Sequence, residues 1–302
     1  MKRRIQIMVA AVATLATLLS CDRYEGDVVE PSYLKIDSIY VVDNSQTSWS
    51  NESGFFTSAV DAVNVVVWAE GDAAETNLGT FQLPCTVPVL KRGNVDMVRI
   101  SPVVKQDGIA GKRITYPYYQ DITLEDVRFA TDSVTDLGTL TTQFVPGMKV
   151  LWREFFEPGP NEISLDSVVQ RCYSLDTVRW GYGCGRVHIA DSVTRLAFWS
   201  DTTYTIPSAS SIVYLEMDYW SDVDFTVALY NPTTSGGTNV LINHMTIYGK
   251  PEQGWQKIYI NIGGTWSRHS GHYPDIRPYF YILNDGAQSG NLYIDNIKLV
   301  VI

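Results

Sequence analysis

Long runs of Ala, Leu, Glu and Lys are missing after residue 20, and neither a heptad pattern nor an internal repeat occurs. That excludes a helical bundle or a coiled coil. Basic residues are outnumbered, 23 against 33 acids, so no basic face is available for nucleic acid or for an anionic membrane surface. Catalytic signatures are also missing: no GxSxG elbow, no HExxH helix and no Walker loop is present. The glycine-rich segment Gly181–Gly185 is followed by no helical pattern that aims amides at a phosphate. Acid pairs occur at Glu216/Asp218 and Asp222/Asp224, but i, i+2 spacing puts each pair on one side of one strand. A glycosidase needs its carboxylates on either side of a scissile bond, so these read as solvated charge. Of the four histidines, His188, His244, His269 and His272, only the last two are close in sequence. With Gly271 between them they form no rigid metal-binding face.

Aromatic residues are plentiful, with 8 Trp, 18 Tyr and 10 Phe, and they favour strands. The expected fold class is therefore all-β. At the N-terminus, Lys2, Arg3 and Arg4 precede the apolar segment Ile5–Leu19, too short to span a bilayer and flanked as a secretory signal is. It ends in Leu18-Leu19-Ser20-Cys21, which resembles the lipobox of bacterial lipoproteins. The resemblance implies cleavage of residues 1–20, acylation of Cys21 and a lipid-anchored place in the cell envelope at the outer membrane, facing the periplasm or the cell surface. Several acyl chains anchor stably where one is marginal. Cleavage removes three basic residues and no acid, leaving a net charge of −13. Residues 21–32 form an acidic tether that looks like the export signals of Bacteroidota-type lipoproteins. An exported chain permits disulfides. Cys172 and Cys184 are spaced to close a hairpin-sized loop, while Cys85, between Leu83 and Val87, suits a buried free thiol.

Residues 33–130 carry short β segments separated by turn signals, at the spacing and size of an immunoglobulin-like β-sandwich. The stretch Leu78–Leu90 (LGTFQLPCTVPVL) is similar to segments of small Ig-like or carboxypeptidase-regulatory-like modules. Polar, Thr-rich residues 131–148 are expected as a linker, ending after the Pro146-Gly147 turn. Residues 149–302 form the second domain. Its segments Glu154–Gly159 (EFFEPG), Tyr214–Trp220 (YLEMDYW), Gly254–Ile262 (GWQKIYINI) and Tyr293–Leu299 (YIDNIKL) resemble jelly-roll carbohydrate-binding modules and their galactose-binding-like relatives. Because loose chain ends fray unless they are tied into a sheet, Asn291–Ile302 is expected as an inner strand of this jelly roll.

The resemblance implies a structural calcium bridging the first and last strands through Glu157 and Asp295, with Glu154 and backbone carbonyls completing the six to eight oxygens. The alternative is a surface Glu and an Asp that caps a bend. Sugar-binding candidates are the aromatic residues expected in loops: Trp180, Tyr182, Trp266 and Tyr273. Core packing is the alternative for each, and the expected fate of a strand residue such as Trp220. The resulting expectation is a non-catalytic envelope lipoprotein that binds glycan through its C-terminal jelly roll. The alternative is a structural or assembly subunit of an outer-membrane complex, whose partner is an envelope protein.

Overall fold

The computed structural model describes residues 30–42, 54–90, 93–160, 162–163, 168–206, 212–232, 240–269, 275–284 and 289–302. Cys21, with residues 1–20 and most of the tether, lies outside the described residues, as does Tyr273. None of the described helices is long and apolar enough to cross a membrane.

The first sandwich begins with β1 (Ser32–Ile36) and β2 (Ser38–Val41), followed by β3 (Ala62–Trp68), β4 (Thr76–Gln82) and β5 (Cys85–Val89). β6 (Gly93–Lys105), β7 (Arg113–Thr115) and β8 (Ile122–Phe129) continue it. β3, β4, β6, β7 and β8 form one sheet, and β1 pairs with β5 opposite it. Alternating apolar residues drive this arrangement: Leu34, Ile36, Val63, Val65, Val67, Val87, Val98 and Ile100 meet in one core, all fully buried. Residues 131–148 are not a linker. Val134–Asp136 (β9) runs parallel to β1, and Thr139–Thr142 (β10) runs parallel to β2. Threonine is a strand former, and on these edge strands its polar character gives the segment the composition of a loop.

The second sandwich opens with β11 (Lys149–Glu154), β12 (Gln170–Cys172), β13 (Cys184–Ile189), β14 (Arg195–Trp199) and β15 (Tyr204–Thr205). It continues through β16 (Val213–Ser221), β17 (Phe225–Asn231), β18 (Val240–Ile247), β19 (Gln256–Asn261), the helix α1 (Gly263–His269), β20 (Asp275–Leu283) and β21 (Gly290–Val301). One sheet runs β12-β13-β21-β16-β19, with β11 also on β21; the other runs β14-β20-β17-β18, with β15 on β20. The inner faces share a core that includes Phe198, Leu215, Phe225, Phe280, Ile294 and Leu299. β21 is the expected inner strand, pairing with β11, β13 and β16.

The two sandwiches are fused by a third buried cluster. Phe55, Tyr116, Tyr118, Tyr119 and Phe144 from the first pack on Phe155, Tyr214, Tyr259 and Val300 from the second. Main-chain bonding crosses the seam, where the Asp107 amide donates to Tyr259 O over 2.8 Å. Side chains join it: the Tyr118 hydroxyl donates to Val300 O (3.1 Å), and the Ala59 amide donates to the Tyr259 hydroxyl (2.8 Å). Gly54, at φ +84°, lies where any Cβ would overlap the Asn296 side chain, 1.7 Å from its Oδ1. Only glycine permits that approach.

Candidate functional site

The outward side of the β11/β12/β13/β21/β16/β19 sheet is closed where the first sandwich covers it; beyond that seam Trp220, expected in the core, is half-buried, its ring centroid 5.4 Å from that of Tyr293, and its Nε1 donates to Pro251 O. Glu216 and Asp218 are buried within the seam, 0% and 1% exposed, beneath the first sandwich. The expectation of solvated charge at this pair fails because the strand face that carries it is the domain seam. Glu216 Oε1 accepts the Tyr116 hydroxyl at 2.6 Å, and its Oε2 faces Lys298 (3.1 Å) and Lys257 (3.5 Å). Burial works to raise the Glu216 carboxyl, but the two lysines and the Tyr116 hydroxyl hold it below its usual range. Neither carboxylate of this pair is open to a substrate.

The other sheet has an outer side of different character. Phe280, Ile282, Phe225, Val227 and Phe198 point inward, so strand alternation turns Trp199, Tyr230, Tyr279 and Tyr281 outward. In register, Trp199 opposes Tyr279, and Tyr279 opposes Ala228. Trp199 and Tyr279 stack in parallel, centroids 5.4 Å apart and planes 5° apart. Tyr230 follows at 5.6 Å from Tyr279, and Tyr281 at 6.3 Å. Trp199, Tyr230 and Tyr279 are half-buried, and Tyr281 is 7% exposed. The small Ala197 and Ala228 sit opposite Tyr281 and Tyr279 and add no bulk beside the rings. Polar groups border the row. The Arg195 guanidinium lies 5.1 Å over the Tyr281 ring and 3.5 Å from the Tyr279 hydroxyl. Thr226 and Thr246 bond to each other at 2.9 Å, and Asn243 is exposed.

Core packing is the sequence expectation for a strand-borne ring, and the structure departs from it here by turning these four outward. The alternation in Tyr279-Phe280-Tyr281 holds the signal: when Phe280 packs inward, its neighbours must face out.

The loop candidates divide. Trp180 (44% exposed) and Tyr182 (72%) stand on the β12–β13 loop. There the Arg179 guanidinium sits 5.6 Å from the Trp180 ring centroid, and the Tyr182 amide donates to Glu157 Oε1 at 3.1 Å. Trp266 is corrected: it lies on α1, not in a loop, and is 3% exposed within the core. The residues after Ile262 wind into one short helix that buries Thr265 and Trp266, the ring joining the core of the second sandwich. Trp180, Tyr182 and Trp266 therefore share no common surface.

Asp295 is 1% exposed, its Oδ1 accepts the Asn296 amide (2.8 Å), and its Oδ2 has no hydrogen-bond partner. Burial, helped by the nearby Asp218 and Glu157 charges, pushes its carboxyl up to about 9. Asn296 in turn donates to Asp218 at 2.7 Å. Among the described residues no group of three or more His, Cys, Asp or Glu is gathered for a metal ion. Glu154 is spent on the backbone, accepting the Phe156 and Glu162 amides at 2.7 Å each. Cys172 and Cys184 oppose each other directly across β12 and β13, and both thiols are free, as is that of Cys85.

No protein-family model matches the chain, and no curated protein does. Among solved structures, the chain is similar to the family 30 carbohydrate-binding module of a cellulosomal cellulase of Clostridium thermocellum. That likeness has 13% identity over 50% of this chain and 96% of the module, with a TM-score of 0.35. A second likeness is to TmCBM61 in complex with β-1,4-galactotriose, at 16% identity over 48% of this chain and 89% of that one, with a TM-score of 0.29. A third covers 79% of this chain and 84% of a β-sandwich carbohydrate-binding module, at 12% identity and a TM-score of 0.34. These are distant likenesses, and nothing about the ligand of this chain follows from them.

Proposed function

We propose that this chain binds glycan on the outer face of the β14-β20-β17-β18 sheet, as a non-catalytic lipoprotein of the outer membrane held by acylated Cys21. The observation that carries the reading is the row Trp199–Tyr279–Tyr230, three rings on three neighbouring strands of one outward face. Sugars present apolar C–H faces and hydroxyl edges. The outer faces of the end rings, Trp199 and Tyr230, offer stacking surfaces, and Arg195, Asn243 and the Thr226/Thr246 pair offer hydrogen-bonding partners. Rigid strands hold this set better than loops do. Trp180 and Tyr182 stay as a second, loop-borne candidate surface. A glycan array probed with the intact chain and with Trp199→Ala tests the reading: hits lost in the variant support it, and an array without hits opposes it.

The alternative, a structural or assembly subunit, is favoured by a different observation. The β12–β13 loop alone carries four exposed large apolar side chains, Tyr173, Leu175, Trp180 and Tyr182, with Leu175 at 94%, and exposed apolar surface of this kind marks protein-binding regions. Recovery of one stable membrane-protein partner, lost on substituting Leu175 and Trp180 and coupled with an empty glycan array, would decide for it.

A further inference from the structure

We infer that Cys172 and Cys184 are a reactive thiol pair whose oxidation staples the strap of residues 173–183, with Cys172 as the attacking sulfur. Direct partners in an antiparallel ladder have Cα atoms about 4.5–5.5 Å apart, inside the range of about 4.4–6.8 Å that a disulfide requires. Cys172 and Cys184 are such partners, and both thiols are free. Everything between them is a loop held at three points. Arg179 Nη1 donates to Trp255 O (3.0 Å), Trp255 Nε1 donates to Thr177 O (2.8 Å), and the Tyr182 amide donates to Glu157 (3.1 Å). Gly183 lies so near Phe156 O that a Cβ there would come within 2.8 Å of it. The strap is thus seated with its two cysteines side by side at its foot.

The two sulfurs are not equivalent. Cys172 is half-buried, and its Sγ lies 3.1 Å from Thr177 Oγ1. Burial raises its thiol, but Thr177, the Ser174 backbone, Cys184 and the Arg186 charge bring it below the ordinary value. Cys184 is fully buried, and burial pushes its thiol up to about 12. The accessible thiol with the larger thiolate fraction attacks first.

A disulfide-class oxidant such as oxidised glutathione supplies the electron acceptor. The Cys172 thiolate attacks one glutathione sulfur, forming a mixed disulfide and expelling one glutathione thiolate. Cys184 then loses its proton to solvent and attacks the Cys172 sulfur, and the second glutathione thiolate leaves. The two protein thiols give up two electrons, the glutathione disulfide takes them, and the two protons end on two glutathione thiols.

The test is peptide mapping of the intact chain after reduction, incubation with oxidised glutathione and alkylation. A Cys172–Cys184 linked peptide is expected, with Cys85 alkylated as a free thiol. Tryptic cleavage after Arg179 is expected to slow by about tenfold once the strap is closed. In Cys184→Ser, Cys172 is expected to be trapped as the glutathione mixed disulfide, whereas in Cys172→Ser, Cys184 stays a free thiol. Absence of the linked peptide, or linkage through Cys85, overturns the pairing. Equal glutathione uptake by Cys184 in Cys172→Ser overturns the order of attack. Should either variant misfold, the mapping of the unsubstituted chain decides the pairing alone.

Discussion

Lys298 Nζ lies 3.1 Å from Glu216 Oε2 with neither side chain exposed to solvent. The same ammonium donates to Phe55 O (2.7 Å) and sits 4.9 Å and 5.2 Å over the rings of Phe55 and Phe144. One lysine of the second sandwich is therefore wrapped by the first. Burial pulls its ammonium down to about 8, against the opposing pull of Glu216.

Breaking this pair from one side leaves a buried charge without its partner. Glu216→Gln is expected to cost about 3–5 kcal/mol, because Lys298, Lys257 and the Tyr116 hydroxyl all converge on that carboxylate. Chemical denaturation measures it. The double variant Glu216→Gln/Lys298→Met is expected to recover part of the loss; a loss below 1 kcal/mol in the single variant contradicts the account of the seam.

Asp295 gives a pH dependence with a definite sign. Its folded carboxyl is raised from 3.8 to about 9 by burial, so its contribution is full below pH 4 and is lost as pH climbs through 9. Asp295→Asn is expected to gain stability relative to the unsubstituted chain as pH rises from 4 to 9, in calcium-free buffer. A constant difference across that range contradicts it.

Calcium between Asp295 and Glu157, the expectation from the jelly-roll resemblance, finds no gathered group of three acidic ligands among the described residues, and Asp295 Oδ2, buried without a hydrogen-bond partner, is the atom such an ion would take up. Millimolar CaCl2 is expected to raise the Tm at pH 8, and Asp295→Asn to abolish the increase. No shift, or an equal shift in the variant, removes calcium from the account.

Trp266 distinguishes core from site. Trp266→Ala is expected to cost about 3–5 kcal/mol of stability, since the ring is buried in the core of the second sandwich. Loss of ligand binding with no loss of stability contradicts that placement.

Much of the architecture was legible because β-branched alternation is a local signal. The run from Gly290 to Val301 is buried along nearly its whole length, as a strand paired on both sides must be. The strands within 131–148 are hidden in the sequence because edge strands and loops share a polar composition. The buried Glu216–Lys298 pair was illegible for another reason: no local pattern says that a second domain covers a strand's outward face. The aromatic row was hidden likewise. Tyr279 and Phe280 differ in fate only through which side the partner sheet occupies, and that is a property of the assembled sandwich.

The outward aromatic row, proposed as the glycan-binding face, stands on one measurement. Isothermal titration of the intact chain with the tightest glycan from an array, set against Tyr230→Ala and Trp199→Ala of unchanged Tm, tests the proposal most directly. Each ring is expected to contribute about 0.5–1.5 kcal/mol, so each variant should bind roughly two- to tenfold more weakly, and Trp180→Ala should bind as the unsubstituted chain does. Undiminished affinity in both row variants, or loss confined to Trp180→Ala, contradicts the claim.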